Sequence, residues 1–188
     1  MVTRIILDNM IIGITGTLGS GKGTVVDYLK AKGYKHYSMS GFISEEIVRR
    51  GLPVNRDTMT SVGTDLRHLH GPDYLTDSLL KRAEAEGGNV VIESLRAPAE
   101  VEYMKKHGAS VWAVDADVKV RYERIMARKS EKDVVSFEKF VSDEERESVG
   151  VNPYEMNLPK CIAMADTIIM NNGTVAELGK EIEAALWN

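Results

Sequence analysis

Cysteine is almost missing from this 188-residue chain. Cys161 stands alone, so no internal disulfide can form and nothing points to an oxidising compartment. Aromatic residues are few, at 6%, and no apolar run approaches the roughly 20 residues that span a bilayer. An excess of positive charge is also lacking. Lysine and arginine number 24 against 28 aspartates and glutamates, a net −4, which argues against sequence-independent binding to duplex DNA. Residues Met1 to Met10 have neither the basic segment nor the long apolar core of a secretory signal. Low-complexity tracts and internal repeats are absent. These absences predict a soluble, cytoplasmic protein with neither a membrane nor duplex nucleic acid as partner; they leave the oligomeric state open, and the expectation is a monomer or homodimer. The length suits a single domain.

What is present is an alternation of apolar runs and helical patterns, the order expected of an α/β domain with a parallel sheet. Met10–Thr15, Asn89–Ile92, Ala109–Asp115 and Thr167–Met170 read as strands, with a shorter one over Tyr34–Met39. Val25, Val26 and Leu29 mark a helix over Lys22–Lys32, and Val118, Tyr122, Ile125 and Met126 mark another after Asp117. Pro98 opens a helix running to His107, at a position where its missing N–H does no harm. Thr174-Val-Ala-Glu177 is a capping box for the closing helix. Ser40–Gly88 reads as helices broken at Gly51-Leu52-Pro53 and Gly71-Pro72. Lys129–Pro159 is the most polar stretch, with a short helix around Phe137, Phe140 and Val141. Residues Met1–Asn9 fall outside the pattern, as an extension ahead of a natural start at Met10.

Between the first strand and the first helix lies Gly16-Thr17-Leu18-Gly19-Ser20-Gly21-Lys22, which has Walker A spacing. A loop that wraps a polyphosphate must present backbone amides at close range, and glycines permit the necessary backbone angles. The following helix points its positive end at the anion, and Lys22 adds a mobile charge for the β and γ oxygens. Gly23 replaces the hydroxyl residue that normally meets Mg²⁺; the hydroxyl comes one place later, at Thr24. No Asp-x-x-Gly or Asn-Lys-x-Asp follows, as a GTPase would need, and no Leu-Ser-Gly-Gly-Gln transporter signature occurs.

The string Gly19-Ser-Gly-Lys-Gly-Thr24 resembles the loop of adenylate kinases and related nucleoside monophosphate kinases. The resemblance implies ATP as phosphoryl donor, with Mg²⁺ held largely through water and the nucleotide and with Thr24 and Glu93 in or near its shell. Glu93 and Arg96, after the third strand, look like that family's acidic residue and following arginine, at an edge where a carboxylate can orient metal-bound water. Arg124-Ile-Met-Ala-Arg128 is similar to its Arg-x-x-x-Arg. That implies Arg124 against adenine and Arg128 on the phosphates, both on one helix face. Asn171-Asn172-Gly173 falls where family members meet the adenine edge, so Asn172 and Gly173 join the nucleotide contacts. Residues 129–159 take the place of a lid, from which Lys132 and Arg146 would close over the transferring group.

For the acceptor, the resemblance implies that a monophosphate-binding flap, 40–88, begins at Ser40. Adenylate kinases carry an arginine a few residues later, where this chain has Ser44; its own arginines follow at Arg49, Arg50 and Arg56. Gly63-Thr-Asp-Leu-Arg67, with Gly71-Pro72 beyond, resembles phage-type deoxynucleoside monophosphate kinases, which implies Arg67 on the acceptor phosphate. The ending around Asp166 and Asn171 resembles dephospho-CoA kinases and archaeal relatives of adenylate kinase. His68 and His70 have no matching third ligand, and Cys161 reads as buried rather than reactive.

The expected fold is therefore an α/β three-layer P-loop domain: a mostly parallel sheet of five strands, P-loop and first strands at 10–39, a helical acceptor flap and a short lid. The expected reaction is ATP-dependent phosphoryl transfer to a nucleoside or deoxynucleoside monophosphate. Lys22, Arg96, Arg128 and Arg146 would handle the transferring charge, and Ser40, Arg67, Glu93 and Arg96 the small-molecule phosphate acceptor. Dephospho-CoA kinase, a nucleotide-gated switch and a partner-dependent ATPase remain as alternatives.

Overall fold

The protein was analysed as a computed structural model that describes residues 9–127, 136–146, 148, 150–152 and 155–187. Five strands form one sheet: β1 (Ile11–Gly16), β2 (Lys35–Ser38), β3 (Val90–Leu95), β4 (Ser110–Asp115) and β5 (Thr167–Met170). Their order is β2-β3-β1-β4-β5 and every pairing is parallel, so the mostly parallel sheet expected is wholly parallel here. All five carboxyl ends therefore share one edge, the edge where ligands gather in open α/β sheets.

Both faces of the sheet are covered, which is why its central strands read as apolar runs rather than alternating ones. Ile12 and Ile14 of β1 face α1 (Lys22–Ala31) and α9 (Val175–Leu186), packing with Val91, Trp112, Val114 and Ile169. The opposite face, with Val90, Ile92, Leu95 and Val111, meets the remaining core helices α2 (Met39–Arg49), α3 (Arg56–His70), α4 (Tyr74–Glu86), α5 (Pro98–Lys106) and α8 (Leu158–Ala163). The stretch expected to form the flap holds α2, α3 and α4, and the breaks between them fall at Gly51–Pro53 and Gly71–Pro72, as predicted. Asn55 caps α3 through a reciprocal box with Thr58. The box at Thr174 and Glu177 opens α9 as its sequence requires.

Of two further helices, α6 (Val118–Ala127) precedes the polar stretch expected to be the lid and α7 (Phe137–Arg146) lies within it. Lys132 and Arg128 lie outside the described residues, as do Met1–Asp8. Among the described residues no helix is long and apolar enough to cross a membrane.

One boundary differs from expectation in a way that bears on the site. β3 does not stop at Ile92 but runs through Glu93 and Ser94 to Leu95. Ser94 adopts a left-handed backbone, φ 75°, and the pairing with β1 slips there: Ile14 faces Glu93 while Thr15 faces Leu95. A bulge of this kind is a local feature that apolar patterning does not announce.

Candidate active site

The loop between β1 and α1 curls over the carboxyl edge of the sheet. Its glycines are fixed by geometry. Gly16 has φ 137°, and any side chain there would run into the carbonyl of Val114 on β4. Gly21, at φ 97°, would likewise meet the side chain of Asn171. Lys22 folds back over the loop, its Nζ donating to the carbonyls of Gly16 at 2.8 Å and Thr17 at 2.6 Å. Ser20 is fully buried, and its hydroxyl has no partner among the described residues. A buried polar group left unpaired is destabilising, and a bound anion would satisfy it. Gly23 and Thr24 lie exposed on the first turn of α1.

The loop is held from behind by Asp115 and Arg121, which the sequence did not single out as site residues. Thr17 Oγ1 donates to Asp115 Oδ1 at 2.6 Å, at the end of β4. Arg121 on α6 is buried, donates through Nε to the Ala116 carbonyl at 2.8 Å, and reaches the Leu18 carbonyl at 3.3 Å. It also pairs with Glu144 on α7 and lies with its charge against the ring of Phe140. Arg121 precedes Arg124 by three places on the same helix, a spacing that the Arg-x-x-x-Arg resemblance passed over.

On the β5 side of the loop an open cavity of about 340 Å³ is lined by Gly21, Thr24, Arg124, Asn171, Gly173 and Val175 among others. Arg124 donates to the Asn171 carbonyl at 2.8 Å and lies 3.4 Å from the carbonyl of Gly173. Asn171 is buried and donates from Nδ2 to the Ser20 carbonyl at 2.8 Å, tying β5 to the loop. Asn172 is turned elsewhere: its Oδ1 accepts from the Asp117 amide at 2.7 Å. Of the paired asparagines, the first lines the cavity, not the predicted Asn172.

A second cavity, of about 80 Å³, opens on the β3 side. It joins Ser40 and Ile43 of α2, Arg56, Met59, Thr60 and Arg67 of α3, Ser94 and Arg96 at the end of β3, and Met156. The predicted residues Ser40, Arg67 and Arg96 therefore meet, although 56 positions separate the first from the last in sequence. Of the flap arginines, Arg56 joins them, whereas Arg49 and Arg50 pair with Glu46 on the outside of α2. Arg67 carries a partner that the sequence did not reveal, the fully buried Glu100. Arg146 ends α7, and its side chain is outside the described set.

Glu93 stands beside this cavity, mostly buried, and both its oxygens are engaged. Oε1 accepts from Ser38 Oγ and Oε2 from Ser94 Oγ, each at 2.6 Å. The imidazole of His36 lies 3.8 Å from Oε1. Burial pushes the carboxyl upward, but His36 and the two hydroxyls outweigh it and hold the group at about 2. Glu93 is thus firmly ionised at neutral pH. No three His, Cys, Asp or Glu side chains cluster as a metal cage among the described residues. His70 stacks on Tyr74 instead, with ring centroids 4.4 Å apart. Cys161 is buried, and burial pushes its thiol up to about 12, which is the inert behaviour expected of it.

Comparison with known proteins places these features. A family model described as an AAA domain matches residues 12–150. A UPF0200 protein of Methanococcus vannielii is 32% identical over 165 residues, 86% of each chain. Among solved structures, a shikimate kinase from Bacteroides thetaiotaomicron aligns with a TM-score of 0.61 at 15% identity, covering 95% of this chain and 99% of its own. A sugar kinase from a Janibacter species aligns with a TM-score of 0.53 at 16% identity, covering 95% and 93%. The fold is that of the P-loop kinases, and its structural neighbours include small-molecule kinases.

Proposed function

The chain belongs to the UPF0200 family and carries an AAA domain, and from that premise we propose that it transfers the γ-phosphoryl group of ATP to a nucleoside or deoxynucleoside monophosphate. The observation that carries this reading is the β3-side cavity, where Arg56, Arg67 and Arg96 converge beside a carboxylate whose oxygens are already occupied. A hydroxyl acceptor must lose a proton and calls for a base. A phosphate acceptor is already anionic, so arginines that position it and spread its charge suffice. With its pKa held at about 2, Glu93 is a poor base at neutral pH.

In this reading the loop amides, Ser20 and Lys22 take the donor phosphates. Lys22 leaves the carbonyls of Gly16 and Thr17 for the β and γ oxygens. Arg124, Asn171 and Gly173 border the donor base. Arg67, Arg56 and Arg96 orient the acceptor phosphate in line with the γ group. Arg128 and Arg146 keep the roles the family resemblance assigns them, near the transferring charge.

Mg²⁺ would be held mainly by waters and phosphate oxygens, with the Thr24 hydroxyl and the ionised Glu93 carboxylate, whose oxygens already accept from Ser38 and Ser94, contributing through water. When bound, the ion neutralises charge between the β and γ phosphates.

A coupled ADP-release assay tests the reading, run with ATP, Mg²⁺ and a panel of ribo- and deoxynucleoside monophosphates plus dephospho-CoA. Strong stimulation by a monophosphate is expected. Stimulation by dephospho-CoA alone would move the assignment to that acceptor. Slow release that no acceptor accelerates would instead favour a switch or a partner-dependent ATPase.

A further inference from the structure

Glu100 has no part in the chemistry described so far, yet it is one of the most deeply buried charges in the molecule, with no exposed surface. It is the third residue of α5, and its two oxygens serve two elements. Oε1 accepts from Arg67 Nε at 2.8 Å and lies in ion-pair contact with Nη2 at 2.7 Å. Oε2 accepts from the backbone N–H groups of Arg96 at 2.8 Å and Ala97 at 2.9 Å. One side chain therefore ties α3 to the turn that leaves β3, and both arginines it holds line the same cavity.

Stability alone is a weak reason for this arrangement, because desolvating two charges offsets most of their attraction. Capping α5 does not require it either, since a surface glutamate does that. The surroundings suit a guanidinium held in one pose. Gly63 lies one turn before Arg67, and a Cβ there would stand 3.3 Å from Arg67 Nη1 and 3.1 Å from Ile43 Cδ1. Nε and Nη2 are spent on Glu100, while Nη1 has no acceptor among the described residues.

We propose that Glu100 is a positioning residue that builds the acceptor's anion site, locking the Arg67 guanidinium and the Arg96 turn into one geometry. The proposal rests on the reading that this cavity takes the acceptor phosphate. It makes a claim opposite in sign to simple electrostatics. A carboxylate beside Arg67 lowers the local attraction for an anion, so charge counting has phosphate bind more tightly once Glu100 is neutralised. Positioning has it bind more weakly, because glutamine keeps only one acceptor oxygen: either the guanidinium is released or the amides of Arg96 and Ala97 lose their acceptor, and the shared geometry is lost.

The test uses the full chain with its P-loop saturated by AMP-PNP and Mg²⁺. Inorganic phosphate is titrated by calorimetry into wild type, Glu100→Gln and Arg67→Lys, and the same proteins enter the monophosphate assay. Glu100→Gln is expected to weaken phosphate at least about tenfold and to raise the KM for the monophosphate to match, with AMP-PNP affinity and the KM for ATP within about twofold. Arg67→Lys keeps a charge against Glu100 but loses the planar fork, and it should give the same split; it decides the matter if Glu100→Gln shows no cooperative melt. Unchanged or tighter phosphate binding, or a parallel loss of phosphate and AMP-PNP, would overturn the proposal. So would a wild type that takes no phosphate beside AMP-PNP. If wild type binds phosphate but turns over no monophosphate, the functional reading fails by itself, and the phosphate titration still decides the role of Glu100.

Discussion

The two cavities flanking the P-loop are made by different means. On the β5 side the cavity abuts a run of consecutive residues, Gly16 to Thr24, whose Gly21 and Thr24 line it and whose glycines fix the backbone that the proposed donor site would use. On the β3 side the cavity draws on α2, α3, the end of β3 and Met156, and side chains carry everything. A backbone-built site tolerates changes of side chain so long as its glycines remain. A site built from side chains depends on each of them, and on whatever holds them, as Glu100 holds Arg67.

Substitutions can break or sharpen that contrast. The largest effect is expected from Lys22→Ala, which removes the loop's mobile charge: turnover should fall by roughly a thousandfold or more, with the melting temperature nearly unchanged. Near-normal turnover would show that the loop is not the donor site. Next comes Arg96→Ala, expected to raise the acceptor KM by about a hundredfold while leaving the KM for ATP alone. Its mirror is Arg124→Ala, which should raise the KM for ATP about tenfold and spare the acceptor. If steady-state kinetics showed both variants moving both constants together, the two cavities would not be separate sites.

A smaller effect belongs to Glu93. Its carboxyl sits at about 2 against an ordinary 4.5, so the folded state gains on the order of 3 kcal/mol from it above pH 4.5, lost progressively as pH falls toward 2. Melting curves between pH 7 and 2 should show wild type losing this increment and Glu93→Gln lacking it. The smallest change is expected from Ser94→Gly. It relieves the left-handed backbone but removes the hydroxyl from Glu93, so stability should shift by less than about 1 kcal/mol. A loss several times larger in chemical denaturation would mean that the serine hydroxyl, not the bulge, organises the carboxylate.

How much of this was legible beforehand follows the same division. Backbone-determined features were readable: the loop from its glycines, the α9 cap from Thr174 and Glu177, and the flap helices from their breakers. Arg67 was readable as a candidate, but its partner Glu100 lies 33 positions away, and no local pattern links two residues on separate helices. The bulge at Ser94 was hidden because a left-handed serine has no compositional signature, so Glu93 read as following a strand that in fact contains it. Arg121 was overlooked because a resemblance directs attention to matching positions, while its role depends on α7 and the Leu18 carbonyl coming together in space.

The solitary cysteine gives this chain a built-in reporter. Cys161 packs in the core on the face of the sheet that carries α3 and α5, close enough to Glu100 and Arg67 for both charges to act on its thiol, and it is sealed from solvent. A thiol reagent can reach it only when α8 lifts or the domain opens. The rate of labelling thus counts openings of that core in the native protein, with no engineered probe and no second thiol to confuse the signal. Ligands that bind beside Arg67 and stabilise the closed core would slow the rate, so the unmodified chain can rank candidate ligands by the protection they confer, before any turnover is measured.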